Sequence, residues 1–190
     1  MDLGDLITAE GVIPLLRAKS KKQALQDLSA KAAALTGVEA RQIFETLLQR
    51  ERLGSTGVGR GIAIPHGKLP GLKSLFSLFA RLDEPIAFDS HDDQPVDLVF
   101  LLLAPEHAGA DHLKALARIS RLLRDPVAIE KLRSSKDKAA LLSVLTQPVP
   151  HAAQLTANRR ARRRPGALDH RRPRRLTDRA SVSGWQSSCV

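Results

Sequence analysis

The chain has 190 residues and a formal charge of +10, but that charge is unevenly placed: residues 147–190 hold ten Arg, no Lys and two Asp, a balance of +8, which leaves +2 for residues 1–146. A near-neutral body without Tyr or Trp lacks the basic, aromatic-lined surface of a nucleic-acid-binding domain. The single cysteine, Cys189, excludes both a disulfide framework within the chain and a cysteine-based metal site. No apolar run approaches the ~20 residues of a membrane span, and Asp2 and Asp5 stand where a secretory signal would be basic. The expectation is a cytoplasmic protein with one domain and a real core.

In chain order, Leu6 to Leu16 is an apolar lead-in interrupted by Gly11 and Pro14. Ser20 with Gln23 forms a capping box that opens a helix with Ala24, Leu25, Leu28, Ala32 and Leu35 on its face, ending at Thr36-Gly37. A second helix carries Val38, Ile43, Phe44, Leu47 and Leu48 and closes near Leu53-Gly54. Four glycines between Gly54 and Gly61 predict a loop or a tight hairpin. Strands follow at Ile62–Ile64, at Leu75–Leu82 with Phe76, Leu78 and Ala80 on one face, and at Val96–Leu103. The last is almost continuously apolar, as suits a strand buried on both sides. Ile86-Ala87-Phe88 reads as a separate short apolar piece before the polar turn Asp89–Gln94. Helices are predicted at Ala110–Leu123, Pro126–Leu132 and Lys136–Leu145. The fold class is therefore α/β: one domain over residues 1–146, a central mixed sheet with helices on both faces. Residues 147–190, rich in Arg and Pro and without apolar periodicity, read as a disordered tail.

The chemistry concentrates at Gly61-Ile62-Ala63-Ile64-Pro65-His66-Gly67-Lys68. An apolar strand runs into a rigid turn that presents one histidine: Pro65 fixes φ before it, and Gly67 would let the backbone leave sharply. An imidazole there is neutral enough at pH 7 to be a nucleophile or a metal ligand. Metal ligation lacks partners: His91, His107 and His112 stand at no helical spacing from His66. A Gly-x-Ser-x-Gly elbow is absent, which removes a serine hydrolase. His66 as nucleophile remains, and a phosphoryl group on it needs donors for its oxygens. Arg50 and Arg52 at the end of the second helix, the Ser55-Thr56-Gly57 loop and the helix start at Asp111-His112 are the candidates. Taken singly, each also has a plain structural reading as a helix-end cation, a turn residue or a helix-start polar group.

Together they form a pattern. Arg50-Glu51-Arg52-Leu53-Gly54-Ser55-Thr56-Gly57-Val58-Gly59, followed by the His66 octapeptide, resembles the active-site signature of phosphotransferase-system IIA domains of the mannitol/fructose class. Ser20–Leu25, Glu84–Asp89, Gln94–Phe100 and His112-Leu113 fit as well, and the likeness is strongest to the nitrogen-related branch. The resemblance implies phosphorylation of His66 by a histidine-phosphorylated phosphocarrier protein, itself charged by a phosphoenolpyruvate-dependent enzyme I, with no metal or other cofactor. It implies that Arg50 neutralises the phosphoryl group and that His112 is the second active-site histidine. In that branch the output is regulatory, with potassium-transport and sensor-kinase proteins among the targets. Two other readings stand beside it: the IIA part of a fructose/mannitol-type sugar permease, and polyanion binding through the Arg-rich tail.

Overall fold

The computed structural model describes residues 3–147. The predicted tail therefore lies, from residue 148 onward, outside the described residues. The elements are β1 (Val12–Leu16), α1 (Lys21–Thr36), α2 (Ala40–Arg52), β2 (Gly57–Gly59), β3 (Ile62–Ala63), β4 (His66–Leu69), β5 (Phe76–Ile86), β6 (Val96–Pro105), α3 (Gly109–Leu122), α4 (Pro126–Ser134) and α5 (Lys138–Thr146). The strands form one mixed sheet in the order β1-β5-β6-β3-β2, with β4 also paired to β6. Among the described residues, no helix is long and apolar enough to cross a membrane.

β6 organises the molecule. Its near-continuous apolar sequence is buried along almost its whole length, and side chains alternate between two layers. Leu98, Phe100 and Leu102 join Phe79, Ile119, Leu132 and Leu141 in a core beneath α3, α4 and α5. Val99, Leu101 and Leu103 join Leu25, Leu28, Ile43, Leu47 and Leu78 in a second core beneath α1 and α2. The predicted mixed sheet with helices on both faces is the observed architecture. Each fully buried Leu or Ile contributes about 1.5–3 kcal/mol relative to exposure. The inner face of α2, with Ile43 and Leu47 at 0% and 1% exposure, therefore holds that helix in place independently of its polar residues.

The helix ends follow the sequence closely. Ser20 caps α1 by accepting from the Gln23 N–H at 3.2 Å, while the Gln23 side chain accepts from the Lys19 N–H at 3.0 Å. Gly37 closes α1 with φ 75°, a left-handed residue after the last turn. Asp125 and Asp137 cap α4 and α5.

Two strand expectations change and a third is narrowed to one of its alternatives. The lead-in contains a strand, β1, parallel to β5 at the sheet edge. Pro14 argues against a central strand, but an edge strand tolerates it, and the β1 register shifts around that residue. Ile86 belongs to β5, which continues through Asp83, Glu84 and Pro85 with a register shift against β6. The Gly54–Gly61 stretch does contain a tight hairpin, β2–β3, whose central residues Arg60 and Gly61 have φ of 57° and 76°. Two positive φ values in succession give the turn that matches strand twist.

Candidate active site

β3 and β4 run along the same edge of β6, both parallel to it, as one strand broken at Ile64-Pro65. The Pro65 carbonyl still accepts from the Leu102 N–H at 2.9 Å, but proline has no N–H to give. At the break, the Ile64 carbonyl lies 2.8 Å from His66 Nδ1. His66 is therefore the first residue of β4 rather than part of a turn. Gly67 correspondingly does not turn the chain: it lies within β4, and its φ is not in the left-handed region. Its small size is what matters, because a Cβ there would sit 2.7 Å from Thr46 Cγ2 of α2. Glycine lets α2 pack close enough to reach the histidine.

Arg50, in the last turn of α2, donates from Nε to His66 Nε2 at 3.0 Å and from Nη1 to the Gly54 carbonyl at 3.0 Å. A carbonyl oxygen only accepts and a guanidinium only donates. Both bonds to the ring are satisfied by a single form: neutral imidazole with its proton on Nδ1 and its lone pair on Nε2. Burial pushes the His66 pKa below its ordinary value, the Ile64 carbonyl opposes that, the Arg50 charge adds to it and the Glu51 charge opposes it; the net direction is down. The ring is a neutral base with one nitrogen aimed at a fixed cation.

His112 completes the pair. It sits in the first turn of α3 at 7% exposure, with its ring centroid 5.7 Å from that of His66. Its buried Nε2 has no hydrogen-bond partner. Burial, then the His66 and Lys68 charges, push its pKa down. Its backbone N–H donates to the Ala108 carbonyl at 2.9 Å and so is engaged within the first turn of α3. An open cleft of about 640 Å³ joins His66 and His112 to Thr46, Gln49, Arg50, Arg52, Leu53, Gly67 and Lys68. Three of these are cationic and none is a carboxylate. A larger cleft of about 830 Å³ includes Pro85, Pro95 and Ile129, but its Arg133 is bonded to Asp97 and to the Arg60 carbonyl, so that guanidinium is already engaged.

The sequence-predicted residues divide accordingly. Arg50, His66 and His112 are brought together. Ser55, Thr56 and Gly57 do not line the cleft. The Ser55 hydroxyl donates to the Phe88 carbonyl at 2.8 Å and accepts from the Gly57 N–H at 3.1 Å. Thr56 gives both its N–H and its hydroxyl to the Glu51 carboxylate, at 2.9 and 2.6 Å. Their donors hold the loop itself, a role that residue type alone does not distinguish from phosphate binding. Sequence reasoning also passed over Lys68, two residues beyond His66 on a strand and hence on the same side of it, and the buried Glu51. Among the described residues, no group of three or more His, Cys, Asp or Glu could hold a metal ion.

Two results are expected from this geometry. Gly67→Ala destabilises the fold by about 1–3 kcal/mol, since Thr46 is β-branched and cannot easily withdraw its methyl. Adding Thr46→Ser, which deletes that methyl, restores most of the loss in chemical denaturation; no recovery would place the strain elsewhere. Stability also depends on pH through the two histidines. Both are depressed in the folded state, so their contribution is complete above the ordinary imidazole value of about 6.5. As pH falls below it, the unfolded chain takes up protons that the folded chain refuses, and stability declines toward the folded pKa values. The double variant His66→Gln, His112→Gln gives a shallower slope of unfolding free energy in that window. An unchanged slope would remove these imidazoles from the acid sensitivity.

The comparisons with known proteins identify the family. The family described as phosphoenolpyruvate-dependent sugar phosphotransferase system, EIIA 2, matches residues 5–147. A nitrogen regulatory protein of Bradyrhizobium diazoefficiens is 64% identical over 153 residues, which is 80% of this chain and 100% of that protein. A crystal structure of nitrogen regulatory protein IIA-Ntr from Neisseria meningitidis superposes with a TM-score of 0.73 at 32% identity, covering 76% of this chain and 99% of that one. IIA mannitol from Escherichia coli shares the fold, with a TM-score of 0.62 at 24% identity over 73% of this chain and 98% of that one. With an arginine-paired histidine in a cationic cleft and a match spanning the described residues almost from end to end, this chain belongs to the EIIA 2 family of the phosphoenolpyruvate-dependent sugar phosphotransferase system.

Proposed function

We propose that this chain is a phosphohistidine relay of the nitrogen-related phosphotransferase system, with residues 1–146 as the working unit. The observation that carries the reading is the Nδ1–H form of His66, with its Nε2 lone pair held against Arg50 in a cleft lined by Arg52 and Lys68. The donor is a phosphocarrier protein phosphorylated on histidine. Nε2 attacks phosphorus in line as the donor's P–N bond breaks, and the departing imidazole keeps that electron pair. The proton on Nδ1 stays in place, and the Ile64 carbonyl stabilises the positive charge that the ring acquires. Arg50 must leave the lone pair for this to happen, and its guanidinium then meets the phosphoryl oxygens. The unpartnered Nε2 of His112 is placed to take part in the same cleft. Ser55, Thr56 and Gly57 contribute by shaping the loop that anchors Arg50.

The kinship with nitrogen regulatory proteins supports a regulatory output, in which the phosphorylation state of His66 governs binding to targets such as potassium-transport or sensor-kinase proteins. The reading is tested by incubating the chain with phosphoenolpyruvate, enzyme I and the phosphocarrier, followed by intact-mass analysis. Gain of one acid-labile phosphoryl group supports it, and no gain with an active donor system overturns it.

A further inference from the structure

Glu51 is an expensive residue to keep. Its side chain is nearly enclosed, at 8% exposure for the residue, one position from the arginine that touches His66. A buried carboxylate costs several kcal/mol unless it is fully paired, and this one is: Oε1 accepts from the Thr56 N–H at 2.9 Å, Oε2 from the Thr56 hydroxyl at 2.6 Å, and Lys21 Nζ of α1 lies 2.7 Å from Oε1. Lys21 is held in turn by Asp89 at 3.0 Å and sits over the Phe88 ring. Burial works against the Lys21 charge, but its bonds to Glu51 and Asp89 outweigh that and raise its pKa. A lysine in the first turn of a helix opposes the macrodipole, so the pairing, not helix stability, accounts for its position.

The loop that this carboxylate pins is the one Arg50 uses. Between Glu51 and Thr56 lies Gly54, whose carbonyl is the second anchor of the Arg50 fork and whose N–H returns to the Glu51 carbonyl at 3.2 Å. Gly54 has φ 148°, and nothing lies within 4 Å of where its Cβ would be, so side-chain packing does not hold it and its position rests on the backbone bonds of the loop. We propose that Glu51, locked by Lys21 and Thr56, is a positioning residue that fixes the Gly54 carbonyl and thereby aims Arg50 at His66 Nε2. The consequence for transfer rests on the relay reading above, while the geometric consequence stands without it.

A side chain acting only as a nearby charge predicts something different. The charged groups facing His66 or lining its cleft are Arg50, Glu51 and Arg52 from α2, Lys68 from β4 and, when protonated, His112 from α3. The Glu51 charge by itself raises the His66 pKa, so neutralising a bystander carboxylate would lower it. Losing Arg50 from the ring removes a cation and would raise it. Glu51→Gln and, separately, Thr56→Val are therefore compared with wild type by NMR, following the Arg50 Nε–H resonance and the titration of the His66 ring in the full chain. Thr56→Val keeps the carboxylate charge and serves if Glu51→Gln does not fold. The expected result is faster exchange of the Arg50 Nε–H, on the order of tenfold, with the His66 midpoint moving up in both variants. A downward or unchanged midpoint, or an unaltered Arg50 resonance, overturns the proposal. Phosphoryl transfer measured alongside should fall on the order of tenfold in kcat with little change in KM for the donor. A wild type that takes no phosphate would count against the relay, and the NMR result would still decide the role of Glu51.

Discussion

His66→Ala takes up no phosphoryl group from the phosphoenolpyruvate, enzyme I and phosphocarrier mixture, while the wild-type chain gains one. The expectation follows from the ring's surroundings. His66 is the imidazole with both nitrogens engaged, one donating to a carbonyl and one accepting from a guanidinium, so its reactive lone pair is already oriented. His112 lies in the same cleft, but its Nε2 has no hydrogen-bond partner to fix it. His112→Ala should therefore still be phosphorylated, more slowly. The half-buried position of His66 leaves the fold intact when the ring is removed, so a folded, unphosphorylated His66→Ala is the decisive observation. A phosphate on that variant, or one mapped to His112 in wild type, would move the nucleophile.

Arg50→Ala slows phosphoryl transfer on the order of a hundredfold or more while costing little stability. In the transition state the charge of the transferring group is spread over its three equatorial oxygens, and removing one preorganised donor from such a site typically costs at least that factor. Its structural share is smaller: a cation in the last turn of α2 with a bond to Gly54 contributes about 0.3–1 kcal/mol, and Ile43 and Leu47 hold the helix regardless. The His66 titration should also move up, because Arg50 is one of the influences holding it down. Stopped-flow or quench measurements of transfer, read beside a thermal melt, separate the two effects. An unchanged rate in a folded variant would pass the role to Arg52 or Lys68, the other cations of the cleft.

How far this was legible beforehand depended on whether a residue's role is local. The helices showed themselves because apolar spacing, Ser20 with Gln23 and Gly37 all act within a turn or two of their own position. β6 was plain because burial on both faces leaves no room for polar residues. β1 was hidden by Pro14, since edge and centre differ in what they tolerate and only the assembled sheet tells which is which. Ser55 and Thr56 have the right chemistry for a phosphate site, but a hydroxyl is symmetric in what it offers, and here the Phe88 carbonyl and Glu51 claim both. The approach of His112 to His66 was available through family resemblance and not through spacing, because it depends on where α3 docks. Glu51 could not be singled out because its partner Lys21 lies two helices away along the chain and the pair exists only in the folded chain.

Under the proposed relay, the gap in the strand at Ile64-Pro65 has a consequence for which isomer of phosphohistidine forms on His66. Imidazole has two nitrogens of similar nucleophilicity, and a free histidine reacts at either. Here the choice belongs to a main-chain carbonyl, which occupies Nδ1 and leaves Nε2 to react. No side-chain replacement deletes that carbonyl, so the cleft can change its rim, its partners and its speed while the regiochemistry stays constant. Only a change that redirects the chain, with Pro65 the first place to look, would let the other isomer form.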